Sequence, residues 1–480
     1  MKKLFMIIAV GALALCLLTA CADPLANTEE SVADASSSTE STPSSQVTEA
    51  KIGATDYDAA AAITLSPDDD LTITEVGVYI LSGTYKDTMV VIDAGDEDKV
   101  QLVLDNATLT NENGPAIFVR NADKVFITAA EGTVNAISDG SDYSLTDGDT
   151  ELDAAVFSKD DLTLNGAGEL TINGNYKHGV VSKDDLVVKA TDFTVNAVNV
   201  GLNGKDSVSL STASVSITAG SDGIRSDNDT EADRGTVSIV DSVVSIVSGK
   251  DGIQAETVFE AENATITILA GGGSNAVNSD DTESYKGVKA GVSITIDGGS
   301  YQIDAYDDAV HTNGTILISG GTFSIQSRDD GLHADERIDI TGGTFDITAY
   351  EGIEATYVCI RGGDITIEAS DDGINASQKS SAYTPTVEIS GGTVTVTMAA
   401  GDTDGIDSNG DIIISGGTIS VNANSSFDYD GSASFTGGTV YVNGQQVTTL
   451  PNQMMGGPGG MGGFGGPGGF GGPGGPGGQP

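Results

Sequence analysis

The stretch DDGLHADERIDITGGTFDITAYEGIEA, Asp329 to Ala355, states one phrase and begins it again about 21 residues later. An acid, a glycine and an aliphatic residue, Asp330-Gly331-Leu332, return as Glu351-Gly352-Ile353. Between them stands Gly342-Gly343-Thr344-Phe345, followed by alternating apolar residues. Self-similarity at this period marks a repeat architecture, and it is read before any single element.

The acid-Gly-aliphatic phrase recurs at Asp222-Gly223-Ile224, Asp251-Gly252-Ile253, Asp372-Gly373-Ile374 and Asp404-Gly405-Ile406, and the Gly-Gly-Thr phrase at Gly320, Gly391, Gly416 and Gly437. The wide gap between Asp251 and Asp330 reads as two degenerate copies, Asn275-Ala276-Val277 and Asp308-Ala309-Val310. The base period is therefore 21 to 22 residues with insertions. Each unit holds three short alternating runs punctuated by glycine, and alternation over runs this short means strands. Three strands in about 22 residues make one coil of a parallel β-helix. Leucine-rich repeats share the length but need a Leu/Asn consensus that is absent. The expected fold is an all-β, right-handed parallel β-helix, the hand following from the chirality of parallel crossovers. About fourteen coils fit between residues 100 and 442, a solenoid on the order of 65 Å long at ~4.8 Å per coil.

Insertions in a solenoid tend to gather on one face, often the binding face. Three are expected at one corner, between the Gly-Ile strand and the next: Ser226 to Gly235, Asn278 to Gly291 and Ser377 to Pro385, with Ser138 to Asp153 a fourth.

The chain ends read differently. Lys2 and Lys3 precede an apolar run from Leu4 to Leu18, and Leu18-Thr19-Ala20-Cys21 resembles a lipobox. Residues 1–20 are expected to be a lipoprotein signal peptide, with Cys21 diacylated and holding the domain at a membrane without spanning it. Residues 21–50 read as a disordered Ser/Thr/Glu-rich tether, 51–450 as the β-helix domain, and 451–480 as a disordered Gly/Pro-rich tail. The expected location is extracytoplasmic, at the cell membrane. With Cys16 in the signal and Cys21 acylated, Cys359 has no partner for a disulfide, so stability must come from packing and metal.

The 21 Lys and Arg stand against 70 Asp and Glu, a formal charge of −49. Nucleic acid is excluded as a partner, since phosphate binding needs clustered cations. An acidic polysaccharide is repelled as well unless something bridges the charges. With no Trp and few aromatics, flat stacking surfaces for neutral sugars are expected to be scarce.

Equivalent residues of successive coils stack, so Asp308, Asp330, Glu351 and Asp372 would form a column of like charge. Two such carboxylates repel by roughly 3 to 4 kcal/mol near a protein surface. Protonation or a counter-ion must relieve this, and Ca²⁺ takes six to eight oxygen ligands of the kind these turns supply. A single Asp-Gly also has a plain turn reading, Asp bonding its own backbone and Gly supplying positive φ. A second acidic element, Ser158-Lys159-Asp160-Asp161-Leu162, is echoed at Ser182-Lys183-Asp184-Asp185-Leu186 and more weakly at Gly204-Lys205-Asp206. It reads equally as a metal site or as a ladder in which Lys159, Lys183 and Lys205 offset the acids. The loop from Ser226 to Glu231, with Asp227 and Asp229, concentrates oxygen ligands without the EF-hand pattern. An outward column is expected to run Arg225, Gln254, Asn278, His311, His333, Glu354, Asn375, Asp407. It suits a saccharide-contacting strip and equally a solvated β-face. The rings of His311 and His333 would stack there, as a transition-metal pair or as polar decoration.

The SKDDL elements, DGIRSDNDTEADRGTVSI, DGIQAE and the serial GGT coils resemble a family of secreted bacterial carbohydrate-binding β-helix proteins, first classed as a domain of unknown function. The resemblance covers about residues 50 to 445. It implies a fold like that of polysaccharide lyases, binding of cellulose or polygalacturonate, calcium between coils, and no clear lyase activity. Motif position makes Asp160, Asp184, Asp222, Asp227, Asp229 and Asp251 the calcium candidates, to which the column adds Asp308, Asp330 and Asp372. The sugar-facing candidates are Arg225, Gln254, His311, His333, Glu354 and Asn375. A lipid-anchored, monomeric module that holds polysaccharide through calcium is expected. Two other readings remain: a pectate-lyase-like enzyme with its base among Lys183, Lys205 and Arg225, and a surface adhesin.

Overall fold

The structure, a computed structural model, describes residues 52–67, 71–144, 151–277, 282–401 and 403–452. The signal segment, Cys21, the 21–50 tether, Asn278 and residues 453–480 of the tail lie outside the described residues.

Forty-three strands form one continuous sheet with no helix among the described residues. The pairings are parallel from Ile63↔Tyr79 onward. The exception is the final hairpin, where Val440 opposes Val447 antiparallel. That turn-back covers the edge of Thr439–Val442, which would otherwise present unpaired backbone groups. The strands stack on three faces, and the chain is the parallel β-helix its period implies. The Gly-Ile face carries short strands such as Ile224–Ser226, Val310–Thr312 and Asp372–Ala376. A middle face follows, with strands such as Thr236–Val240 and Thr386–Ile389. The Gly-Gly-Thr face carries six-residue strands such as Thr322–Ser327 and Thr344–Ala349.

Alternation decides what enters the core. In Thr344–Ala349 the inward residues are Phe345, Ile347 and Ala349, and the outward ones are exposed. Because each coil repeats the pattern in register, like stacks on like. Tyr301, Phe323 and Phe345 form an internal ladder with centroids 4.7 and 4.5 Å apart and rings within 8° and 2° of parallel. Burying such a side chain contributes about 2 to 3 kcal/mol, once per coil.

The two glycine phrases serve different needs. The second glycine of Gly-Gly-Thr sits at positive φ, 109° at Gly321 and 106° at Gly343, where a side chain is strained. The glycine after the acid does not. A Cβ on Gly331 would meet the Gly352 carbonyl oxygen at 2.6 Å and Ile347 Cγ2 at 2.5 Å. Close approach of the next coil, rather than turn geometry, requires glycine there.

One sequence assignment is corrected. The coil between Asp251 and Asp308 is carried by Lys286-Gly287-Val288, not by Asn275-Ala276-Val277: Val288 pairs with Ile253 and Val310, and Val277 is exposed. An acid-Gly-Ile search passes over it because a lysine takes the acid's place. The insertion therefore moves to the other corner, between Thr265–Ala270 on the Gly-Gly-Thr face and Val288–Ala290 on the Gly-Ile face. The loop after Val134–Asp139 occupies that second corner too. Only the insertions at 226–235 and 377–385 share the first.

Candidate functional site

On the Gly-Ile face, Ile224, Ile253, Val288, Val310, Leu332, Ile353, Ile374 and Ile406 stack inward. Two residues ahead of them run Asp222, Asp251, Lys286, Asp308, Asp330, Glu351, Asp372 and Asp404. Asp330 opposes Glu351, and Asp372 opposes Asp404. One residue after the aliphatics runs the outward column, Arg225, Gln254, Lys289, His311, His333, Glu354, Asn375, Asp407 and Asp428. Lys289 holds the place that Asn278 was expected to take.

The first half of this strip is supplied with the chain's own cations, although burial, with the charges of Asp308 and Glu351, still pushes Asp330 up to about 8. Asp222 and Asp227 lie 3.4 and 3.2 Å from the Arg225 guanidinium, and Asp229 is exposed on the adjoining loop. Asp251 accepts the Lys286 backbone N–H at 2.7 Å. Lys286 Nζ lies 2.8 Å from both Asp307 and Asp308. His311 Nδ1 lies 2.8 Å from Asp308, and His333 Nδ1 lies 2.6 Å from Asp330 and 3.1 Å from Glu354. The two imidazoles stack, centroids 4.7 Å apart. Lys379, from the 377–385 loop, reaches Glu354 at 2.9 Å. Burial opposes charge on His333, but the hydrogen bonds to Asp330 and Glu354 win and push its pKa far up. A protonated His333 donates to carboxylates and offers no lone pair to a transition metal. Burial would raise Asp308, yet the His311 hydrogen bond and the Lys286 charge hold it low. Gln254 is half-buried between Arg225 and Lys289.

The second half lacks such cations. The carboxylates of Glu351, Asp371 and Asp372 come within 4.8 Å of one another. Among the described residues, no Lys, Arg or His forms an ion pair with Asp372, Asp407 or Asp428. Burial, then the charges of Glu351 and Asp407, pushes Asp372 up to about 8. Burial, then Glu354, pushes Glu351 up to about 7. Burial, with Asp404 and Asp428, pushes Asp407 up to about 6.

Asn375 stands in this half at 8% exposure. Its amide nitrogen donates to Glu351 at 3.0 Å and Glu354 at 3.4 Å. Its Oδ1, on the other arm of the planar amide, is buried with no donor. Ser425, which opposes Asp404 in register, likewise has a buried Oγ without a hydrogen-bond partner. A buried carbonyl oxygen left unmatched is costly, and either a neighbouring carboxyl that keeps its proton or a cation would relieve it.

The SKDDL ladder has its own solution. Asp160 accepts the Ala122 N–H at 3.0 Å and its carbonyl accepts the Ser182 hydroxyl at 3.0 Å, both contacts between coils. Asp161 pairs with Lys124 at 3.2 Å. Arg234, from the 226–235 loop, ion-pairs with Asp206 and lies 3.4 Å from Asp184. Burial, then Asp206 and Asp161, still pushes Asp184 up to about 6. Lys159 and Lys183 lie instead over the Phe118 and Phe157 rings at 5.5 and 5.4 Å. Of the three residues named as a lyase base, Lys183 is thus drawn to an aromatic ring and Arg225 is held between two aspartates. Lys205 is exposed.

Lys286, Lys289, Arg234 and Lys379 are the site residues that sequence reasoning passed over. Their signal was weak: Arg234 and Lys379 lie on insertions off the repeat's register, while Lys286 and Lys289 are in register in a coil that keeps the Gly-aliphatic pair but not the acid.

A family model for carbohydrate-binding domain-containing proteins matches residues 67–331 and 327–450. A relative of that description from Acetivibrio thermocellus is 36% identical over 129 residues, 27% of this chain; the alignment spans 45% of that relative's length. A solved structure, that of the polysaccharide lyase-like protein from C. thermocellum as a gadolinium derivative, is 35% identical. Its alignment covers 42% of this chain and 82% of that one, with a TM-score of 0.41. The family match spans nearly all the stacked coils, and the chain belongs to the carbohydrate-binding domain-containing protein family.

Proposed function

We propose that this protein holds an acidic polysaccharide of polygalacturonate type through calcium bound at the second half of the acid column. The observation that carries this reading is the buried, donor-less Oδ1 of Asn375 beside Asp372 and Asp407. The donors there are all oxygen, which suits a hard cation and not zinc. Asp372, Asp407 and Asn375 would hold the ion, with Asp404 and Ser425 within the same strip. A calcium ion supplies positive charge that the protein's carboxylates and a uronate carboxylate can share. That removes the objection a charge of −49 otherwise raises against an acidic ligand.

The remaining candidates fit an ion less well. Asp222, Asp227, Asp251 and Asp308 already face cations or backbone donors, and Asp330 faces His333. Attachment to a membrane through Cys21 belongs to the same reading and would keep the captured polymer at the cell surface. The test is retention on insoluble polygalacturonate, with calcium and then with chelator, while the supernatant is assayed for unsaturated products. Calcium-dependent retention without products is expected, and Asp372→Asn/Asp407→Asn should abolish it. Unsaturated products would place the protein among lyases, and retention indifferent to chelator would overturn the bridging role.

A further inference from the structure

The second corner, between the Gly-Gly-Thr and Gly-Ile faces, gathers the aromatics that composition made seem scarce. Tyr285 comes from the long insertion, Tyr306 follows Ser300–Ala305, Arg328 follows Thr322–Ser327, and Tyr350 follows Thr344–Ala349. They therefore occupy the same corner in four successive coils. Tyr285 and Tyr306 meet edge to face at 5.4 Å. The Arg328 guanidinium lies over the Tyr306 ring, 4.5 Å from its centroid, and Tyr350 is 45% exposed. Together with Glu283, Asp307 and Asp329 they line a groove of about 400 Å³. A second groove of about 620 Å³ shares Arg328 and Tyr350 and adds Gln326, Ser327 and Glu368.

In so acidic a protein an exposed arginine would be expected to pair with a carboxylate. Arg328 does not: among the described residues no acid lies within ion-pair distance of it, and Asp307 is taken by Lys286. Stacking on Tyr306 fixes the guanidinium plane and leaves its N–H edges for a ligand. The groove thus offers the exposed Tyr350 ring, a forked donor and carboxylate acceptors. A pyranose needs those three partners, with its C–H face on an aromatic ring and its hydroxyls both accepting and donating. Glu283 and Asp307 are already paired with Lys250 and Lys286, so among the described residues Arg328 faces one unpaired carboxylate, Asp329, and the groove lacks the net positive charge that a uronate needs. A neutral ring needs none.

We propose that this corner is a second glycan subsite, one that takes neutral sugar rings without calcium. It lies one residue off the acid column, since Asp307 and Asp329 directly precede Asp308 and Asp330. It shares no residue with those that would hold the cation, although the Tyr350 hydroxyl bonds Asp371, which lies beside Asp372. A heteropolymer with charged and uncharged stretches would be gripped at both.

The test is titration of the full chain with cellohexaose and xylohexaose in chelator. At least one should bind, and Arg328→Ala and Tyr350→Ala should each weaken it by about tenfold, while Tyr350→Phe keeps it. These residues are exposed, so melting temperatures should not change; a variant that melts normally yet binds fully overturns the subsite. So does the absence of binding to either oligosaccharide, or binding that chelator abolishes. Calcium-dependent retention on polygalacturonate, measured on Arg328→Ala, whose side chain touches no residue of the cation site, should be unaffected. That arm separates failure of this subsite from failure of the calcium reading.

Discussion

Lys286 places its ammonium 2.8 Å from the Asp308 carboxylate of the next coil, from a position where other coils of the same column carry an acid. That substitution divides the column. Coils near Lys286 balance their charge internally, while those from Glu351 onward do not.

Removing the lysine should expose the imbalance. Its side chain is 13% exposed and that of Asp308 only 4%, so Lys286→Met leaves a buried aspartate without its main counter-charge. Breaking such a pair costs about 3 kcal/mol. Chemical denaturation should register that loss, and Asp308→Asn in the same chain should recover most of it. Equal stability of the single variant and the parent would show that His311 alone suffices.

The raised acids of the column should show in the pH dependence. Asp330 and Asp372 are raised to about 8, Glu351 to about 7 and Asp407 to about 6. A carboxyl raised in the folded state binds its proton more tightly there than in the unfolded chain, so its contribution is lost as pH rises. In chelator, the melting temperature should fall between about pH 4 and pH 8. Asp308 and Glu354, held low, act oppositely: their stability is present above the usual carboxylate range and is lost on acidification below it. Calcium should flatten the decline towards pH 8. A melting curve that climbs through that window without calcium would contradict the raised carboxyls.

Asn375→Leu separates structural from ligand roles. Without an ion, the gain from deleting a donor-less buried oxygen is outweighed by the loss of the amide's hydrogen bonds to Glu351 and Glu354, so the change should cost about 1 to 3 kcal/mol. With calcium, the same change removes a ligand, and the affinity read by calorimetry should drop by about tenfold or more, near 1.4 kcal/mol. Asp227→Asn, on the exposed side of Arg225, should leave that affinity unchanged.

The close approach between coils can be tested at Gly352. An added Cβ would meet the Gly373 carbonyl oxygen at 2.4 Å and Ile367 Cγ2 at 2.5 Å. Gly352→Ala should destabilise by about 1 to 3 kcal/mol or more through overpacking. Gly320→Ala, whose nearest neighbours are at 3.8 Å or beyond, should be mild. Both effects are measured by thermal melting.

The repeat phrase by itself determined the solenoid, the inward residues and the stacking of Asp330 on Glu351 and Asp372 on Asp404. Those follow from backbone pairing between neighbouring coils, which a period of 21 to 22 residues specifies locally. It also determined that the acids would need relief. What only the tertiary structure decided is where the relief comes from. Lys379 and Arg234 arrive on insertions whose paths the period does not dictate, and Lys286 hides in a coil that breaks the acid motif. The tyrosine corner, by contrast, keeps the period: Tyr285, Tyr306, Arg328 and Tyr350 follow one another by 21, 22 and 22 residues, and only the structure shows these side chains meeting at one edge. Lys379 and Arg234 reach their acids from coils of unequal length, because register along a β-helix is kept by hydrogen bonds between strands and not by residue count.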